Sequence, residues 1–225
     1  MPEFVSRAGL KLEHALATFG VDVAGLVCAD LGSNTGGFVD CLLQRGAARV
    51  YAVERGYGVL DWKLRKDPRV VVMERTNAMH VRLPEPAGFI SIDVSWTRQR
   101  HILPAAKGLL ATGGRAIAGS QESASTLTGG VCTHSPDSAG GGTGGATCGR
   151  PAAGGRVVTL IKPHYEADPK LLRKGVLPAE QVDVVVQAVL EEIRAAGFDV
   201  LGTTPSPIRG GQGNTEILAF LDYRG

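Results

Sequence analysis

Short apolar runs recur along the chain at lengths typical of β-strands. Five of them occupy residues 26–31, 50–53, 70–73, 89–93 and 157–161. Because each run is apolar at almost every position rather than at every second one, it is typical of a strand buried on both faces of a parallel sheet. The pattern therefore predicts five strands inside a sheet that is covered on both sides.

Helical spacing of apolar residues fills the gaps between these runs. Leu12, Leu16 and Phe19 lie on one face of a helix predicted over 6–19, and Gly20 is a typical residue to end it. Further helices are predicted over 38–44, 98–110 and 178–196, and two more strands over 199–203 and 216–221. Strands alternating with helices indicate an α/β fold with a doubly wound, mostly parallel, seven-stranded sheet. Ligands of such sheets bind at the carboxyl ends of the strands.

The composition is that of an ordinary globular chain. With 225 residues, 44% apolar and 20% charged, the chain is long enough for one domain with a sizeable core and is not fully disordered. A formal net charge of +2 permits a nucleic-acid partner without requiring one. No run is long enough to span a membrane, no signal peptide is visible, and four cysteines do not make a disulfide scaffold. We therefore expect a cytoplasmic protein without a membrane segment.

One long segment departs from this composition. Residues 119–155 are rich in Gly, Ser, Thr and Ala and contain few aliphatic side chains, so we expect a flexible insertion within a single domain over 1–225. Similar sequences flank it, at 111–117 and 152–158. Three residues that could ligate a metal lie inside it, but their spacing matches no zinc pattern, and we predict no metal site: Cys132, His134 and Cys148.

A glycine-rich turn follows the first predicted strand, and an acidic residue, Glu54, ends the second. Gly32 and Gly36 allow a tight turn and a close approach to a ligand, and Glu54 could accept hydrogen bonds from ribose hydroxyls. The glycine spacing is not that of the dinucleotide fingerprint, and S-adenosylmethionine fits better. A plain strand-to-helix turn with an exposed Glu54 is the alternative. The candidate cofactor residues are Asp30, Gly32, Ser33, Asn34, Thr35, Gly36, Gly37, Phe38 and Glu54.

Four further polar residues lie where the sheet presents its ligand-binding edge, or on the first helix. Asp93 ends the fourth strand, Lys162 ends the fifth, Glu216 begins the last, and Lys11 lies on the first helix. Each alone has an ordinary explanation as a solvated charge. Together they fit methyl transfer to a ribose hydroxyl, because a partly desolvated lysine near another cation can accept the weakly acidic proton. Carboxylates would hold the ammonium groups and the hydroxyl in line with the sulfonium methyl.

Blocks of sequence along nearly the whole chain resemble, in order, the methyltransferase domain of the TlyA (hemolysin A) family, within the wider FtsJ-like ribose 2′-O-methyltransferases. They occupy residues 4–12, 30–44, 49–54, 74–77, 92–95, 160–163, 205–208 and 213–216. The resemblance implies a Rossmann-like, class I S-adenosylmethionine-dependent methyltransferase. It implies that the substrate is RNA, namely the cytidine 2′-hydroxyl of ribosomal RNA or of ribosomal subunits.

The resemblance also implies residue roles. It places a Lys-Asp-Lys-Glu catalytic tetrad at Lys11, Asp93, Lys162 and Glu216. It places S-adenosylmethionine at the glycine turn and near Asp93, with its ribose at Glu54 and its adenine near Thr76 and Asn77.

This chain departs from the family pattern in three places, one of which is the insertion at 119–155, which interrupts the approach to the strand that carries Lys162. The family usually has a small S4-like RNA-binding domain before the opening block, whereas we expect this chain to lack it, because Phe4 begins that block. After Asp93, Trp96 stands where the family often has Phe. A small-molecule methyltransferase and a non-catalytic RNA-binding protein are the alternatives. A pore-forming hemolysin is disfavoured, because no spanning segment or basic amphipathic helix is evident. The sequence leaves the modified nucleotide and the oligomeric state open.

Overall fold

The computed structural model describes residues 4–95, 97–111 and 155–223, which form a seven-stranded sheet with helices on both faces. The strands are β1 (Val27–Leu31), β2 (Arg49–Val53), β3 (Val70–Met73), β4 (Phe89–Ile92), β5 (Gly155–Ile161), β6 (Asp199–Pro205) and β7 (Ile217–Tyr223). The helices are α1 (Ala8–Phe19), α2 (Gly37–Gln44), α3 (Trp62–Arg65), α4 (Gln99–Leu109), α5 (Pro163–Glu166) and α6 (Ala179–Ala195), with short 3₁₀ turns at Pro169–Leu171 and Gly211–Gly213. Within these ranges, every helix falls short of the length and apolar character that crossing a membrane requires.

The strand order across the sheet is β3-β2-β1-β4-β5-β7-β6. Strands β1 to β5 pair in parallel, and β7 runs antiparallel to both of its neighbours. The predicted doubly wound, mostly parallel sheet is therefore confirmed. The order reverses between β1 and β4, so a crevice forms outside the carboxyl ends of these two strands.

Two apolar layers enclose the sheet. On one face α1 and α2 bury Leu12, Leu16 and Phe38 against the strands. On the other face α4 and α6 bury their own apolar sides, including Ile102 and Leu190. Gly20 ends α1 in the left-handed conformation, at φ +61°, as its position in the sequence predicted.

The predicted helices and strands lie within two residues of their observed ends, but burial at the sheet edges differs from the prediction. β3 is half-buried rather than buried on both faces, because it is an edge strand with a neighbour on one side only. Helix α3 was not predicted, since its four residues are too short to show a period, and the Asp61 side chain starts it by accepting a hydrogen bond from Lys63 N. Of the predicted insertion, Gly155 begins β5, and 119–154 lie outside the described residues, as does Trp96.

Candidate active site

Strand periodicity places the candidate residues on one face of the sheet, at the edge where the parallel strands end. In a strand, side chains two positions apart point to the same face. On five strands, a residue buried in the core under α1 and α2 stands two or four positions from a candidate residue. These pairs are Cys28 and Asp30, Ala52 and Glu54, Phe89 and Asp93, Leu160 and Lys162, and Leu218 and Glu216. The site thus lies on the side of the sheet that α1 and α2 cover.

The glycine turn after β1 is held between the neighbouring strands. The backbone amides of Gly32 and Ser33 both donate to Val53 O, at 2.9 and 3.0 Å. Gly32 has φ +91°, and a Cβ at this position would lie 2.6 Å from Asp93 O. Only glycine therefore fits where the turn crosses the end of β4.

Asp30 is the most deeply buried of the candidate carboxyl groups, at 1% exposure. Its Oδ1 accepts a 2.7 Å hydrogen bond from Ser91 Oγ, while Oδ2 has no hydrogen-bond partner within the described part of the chain. Burial raises the pKa of Asp30 to about 8, and the nearby charges of Asp93 and Glu54 act in the same direction. Three carboxyl groups at one edge favour a cationic ligand.

Glu54 joins the glycine turn to the loop after β2. Its Oε2 accepts from Asn34 N at 2.9 Å, and its Oε1 accepts from Gly56 N at 2.7 Å. The side chain is half-buried, so the alternative of a freely exposed Glu54 is wrong. Each carboxylate oxygen keeps a second lone pair, which a ligand hydroxyl can use.

Thr76 and Asn77 follow β3 and lie beside the end of β2. Thr76 N donates to Glu54 O at 2.9 Å, which fixes this segment next to Glu54. Asn77 is exposed, and its Oδ1 accepts from Met79 N at 3.0 Å. The structure therefore brings both residues to the same edge as Asp30 and Glu54.

Lys11 and Glu216 form a buried ion pair. Lys11 Nζ lies 2.6 Å from Glu216 Oε2, and the two side chains are 10% and 4% exposed. Gly210 packs against this carboxylate, since a Cβ there would lie 2.2 Å from Glu216 Oε1. The ordinary explanation of both residues as solvated charges is therefore wrong.

Asp93 and Lys162 form the second ion pair. Lys162 Nζ lies 2.6 Å from Asp93 Oδ1, at an angle poor for a hydrogen bond, and 3.4 Å from the carbonyl oxygen of Val94. The side chains are 12% exposed for Lys162 and 18% exposed for Asp93. Asp93 Oδ1 itself is buried, but part of each side chain reaches solvent, so a substrate hydroxyl could approach the pair from its exposed side.

Strand register connects the two ion pairs. Ile161 at the end of β5 pairs with Ile217 at the start of β7. Extending this antiparallel register by one residue places Lys162 opposite Glu216, and opposite residues point to the same face. The four predicted catalytic residues therefore lie in one row, with the charges alternating between lysine and carboxylate.

Several residues at this edge were not predicted from the sequence. Ser91, which binds Asp30, could have been found as the polar residue in an otherwise apolar strand. His164 and Tyr165 follow Lys162 closely, with ring centroids 4.1 Å apart. Burial and the Lys162 charge lower the pKa of His164, so its imidazole is neutral at neutral pH. Their adjacency to Lys162 was the available signal.

A sheet of this strand order, with a glycine turn after β1 and acidic residues at the ends of β1 and β2, defines the Rossmann-like methyltransferase class. A family model described as FtsJ-like methyltransferase matches residues 4–223. The chain belongs to the FtsJ-like methyltransferase family, which confirms the predicted family and the predicted class of enzyme.

Several known proteins are similar over nearly the whole chain. A candidate ribosomal RNA methyltransferase of Bacillus subtilis, YqxC, is 36% identical over 99% of this chain and 66% of its own length. The 16S/23S rRNA (cytidine-2′-O)-methyltransferase TlyA of Mycobacterium tuberculosis is 33% identical over 97% of this chain and 68% of its own length. A solved structure of a candidate hemolysin from Streptococcus thermophilus is 34% identical, with a TM-score of 0.78, over 100% of this chain and 68% of that chain. The chain therefore spans about two thirds of the length of these proteins.

Proposed function

We propose that the protein transfers a methyl group from S-adenosylmethionine to a ribose 2′-hydroxyl of RNA, and that its substrate is a cytidine of ribosomal RNA. The observation that carries the proposal is the row of two lysine–carboxylate pairs beside the glycine turn. The family and the described activity of the TlyA relative support it.

The residues at the carboxyl edge of the sheet fit S-adenosylmethionine. Asp30 keeps a buried carboxyl oxygen without a partner among the described residues, and the ammonium of the cofactor's amino acid group would satisfy it. Glu54 would bind the ribose hydroxyls, with Thr76 and Asn77 beside the adenine. The cofactor is a cation that supplies an electrophilic methyl group, and the carboxyl groups at this edge favour a cation.

The two ion pairs would prepare the hydroxyl for transfer. Lys162 Nζ is the group placed to accept the 2′-hydroxyl proton, and Asp93 would stabilise the ammonium that forms. Lys11 and Glu216 extend the row, and their burial keeps them in place.

Transfer of labelled methyl from S-adenosylmethionine tests this proposal. Three acceptors are compared: ribosomal subunits, naked ribosomal RNA and free cytidine. We expect label in RNA, at a position where the 2′-O-methyl group blocks alkaline cleavage of the phosphodiester. Label in free cytidine alone would instead identify a small-molecule methyltransferase. Cofactor binding with no transfer to any of the three acceptors would favour a non-catalytic RNA-binding protein.

A further inference from the structure

The loop after β2 exposes large apolar side chains next to the candidate cofactor residues. Tyr57 is 71% exposed, Trp62 is 68% exposed, and Val59 between them is 39% exposed. These residues contribute little to the core, and exposed apolar side chains grouped in one segment often mark a binding surface. We name Arg55 to Lys66, together with Arg75, the aromatic–basic loop.

A cation covers each of the two exposed rings. The Arg75 guanidinium carbon lies 4.4 Å from the Tyr57 ring centroid, and Lys66 Nζ lies 5.1 Å from that of Trp62. No carboxylate pairs with either cation in the ranges that the structure describes. By contrast, Arg65 is paired with Glu74. Among the described residues, the two cations above the aromatic rings therefore keep their charge available, as does Arg55, which forms no carboxylate pair either.

The backbone of this loop is held in place. Gly56 N donates to Glu54 Oε1 at 2.7 Å, and Arg75 N donates to Gly56 O at 3.0 Å. Val59 N donates to Glu74 Oε1 at 3.2 Å. Because Glu54 also accepts from the glycine turn, the loop is bound directly to the candidate cofactor site. The aromatic rings are thus presented by an ordered backbone, which lowers the entropy lost on binding.

We infer that the aromatic–basic loop binds single-stranded RNA beside the cofactor site, an inference that rests on the proposed function. Bases would stack on Tyr57 and Trp62, and Lys66 and Arg75 would contact phosphates. Aromatic rings combined with unpaired cations are the chemistry that recognises unstacked RNA. The cations above both rings favour a polyanion over a protein partner, because phosphates can pair with them.

RNA affinity tests this inference, measured by fluorescence anisotropy with a labelled single-stranded oligocytidylate. Tyr57→Ala and Trp62→Ala should each weaken binding about 5- to 150-fold, the effect of losing one stacked base. Val184→Ala is the matched control, because Val184 is 66% exposed on α6, the helix on the opposite face of the sheet. It should leave RNA affinity unchanged.

Salt dependence separates the role of the cations from that of the rings. Lys66→Gln should lower the slope of log affinity against log salt by about 0.7, the effect of losing one phosphate contact to a single strand. Tyr57→Ala should weaken binding without changing the slope. Arg194→Gln, an exposed charge on α6, should change neither quantity.

Three outcomes would overturn the inference. Wild-type RNA affinity in both aromatic variants would show that the loop does not bind RNA. A loss of S-adenosylmethionine affinity in Tyr57→Ala as large as the loss of RNA affinity would assign Tyr57 to the cofactor instead. Weakened binding by Val184→Ala of the same size would make the effect non-specific. Weaker RNA binding in the aromatic variants of an enzyme that methylates no RNA would contradict the proposed function and still support this surface.

Discussion

Burial of the Asp30 carboxyl group destabilises the folded state, and the hydrogen bond from Ser91 offsets this only in part. The carboxyl group is buried, one oxygen is bound by Ser91, and the other has no partner within the described ranges. A buried carboxylate without full hydrogen bonding destabilises the folded state, and the raised pKa of Asp30 expresses the same cost. Residues that lower stability in this way are typical of binding sites, where a ligand completes the missing interaction.

Replacing Asp30 should change how stability depends on pH. The folded pKa is about 8 against 3.8 for the ordinary group, so between these values the folded state holds a proton that the unfolded state has lost. Stability therefore falls as pH rises through this window, by at most about 1.4 kcal/mol per pH unit. Asp30→Asn should remove that fall, and urea unfolding from about pH 5 to about pH 8 measures it. Parallel pH profiles for the two proteins would contradict the prediction.

Replacing Lys162 should remove chemistry while leaving cofactor binding in place. Lys162→Ala should lower the rate of methyl transfer by about 10²- to 10⁴-fold, the usual contribution of a general base. S-adenosylmethionine affinity should stay close to wild type, because the proposed cofactor contacts come from other strands. Lys162→Arg should also be slow, since a guanidinium keeps its proton. Labelled-methyl transfer and calorimetric titration measure the two quantities.

Lys170→Ala is the control for Lys162, because Lys170 is exposed on the 3₁₀ turn a few residues further along. Near wild-type turnover by Lys162→Arg would exclude Lys162 as the base. Loss of cofactor binding by Lys162→Ala would indicate a structural role.

The sequence identifies the four candidate catalytic residues, but it does not show which of them form ion pairs with each other. Lys11 and Glu216 are 205 positions apart, and nothing local to either residue indicates that they meet. Their pairing follows from packing, because α1 lies against β7 and Glu216 immediately precedes that strand. The resemblance to a family supplied the four positions, and the strand register supplied the reason that they form one row.

Helix α1 is attached to the last strand by a charge pair inside an apolar layer. Around Lys11, the α1 residues Leu12 and Leu16 are buried with Leu218 and Phe220 of β7. An ion pair in such surroundings adds specificity of position rather than much net stability, because desolvation offsets the attraction. Removing only one of the two charges has a much larger effect on stability, because the other charge then stays buried without a partner.

Removing the Lys11 charge alone should therefore destabilise the protein strongly. Lys11→Met should lower the free energy of unfolding by about 3–5 kcal/mol, because Glu216 is left buried and unpaired. The double variant Lys11→Met with Glu216→Met should recover most of that loss while remaining inactive. Denaturant unfolding measures both variants.

Arg49→Met provides the comparison for Lys11→Met. Arg49 pairs with Glu85 at an exposed position, so the change should cost less than about 1 kcal/mol. Equal costs for Lys11→Met and Arg49→Met would show that the burial of the Lys11 pair does not matter.

The positions of strands and helices could be predicted where their burial leaves a clear pattern of apolar residues in the sequence. β1, β4 and β5 lie inside the sheet, and their continuous apolar runs identified them. The edge strand β3 has an equally apolar run but is half-buried, because a run of apolar residues does not reveal the order of strands. Short helices such as α3 leave no period in the sequence, and only the structure shows them.

At the scale of the whole molecule, the residues that flank 112–154 on either side lie next to each other. Leu110 forms a bridge with Ala87, and a Cβ on Gly155 would lie 2.6 Å from Leu110 Cβ. The two ends are therefore in contact, and the chain between them can be shortened without pulling them apart. Because loop closure depends only weakly on length, the entropy change is small.

Deleting residues 120–152 should accordingly leave the fold and its stability nearly unchanged, within about 1 kcal/mol. Circular dichroism and urea unfolding of the shortened protein measure this. A deletion variant that does not fold would show that the segment packs against the domain and contributes to its stability.

Residues 112–154 separate the chain into two parts, and Leu110 and Gly155, at the ends of these parts, are in contact. The two parts also pair with each other through β4 and β5. Asp30, Glu54, Lys11 and Asp93 belong to the first part, and Lys162 and Glu216 belong to the second. Each ion pair takes one partner from each part. A chain cut within this segment would be a split enzyme, in which neither piece holds a complete pair and methyl transfer reports that the two pieces have reassembled.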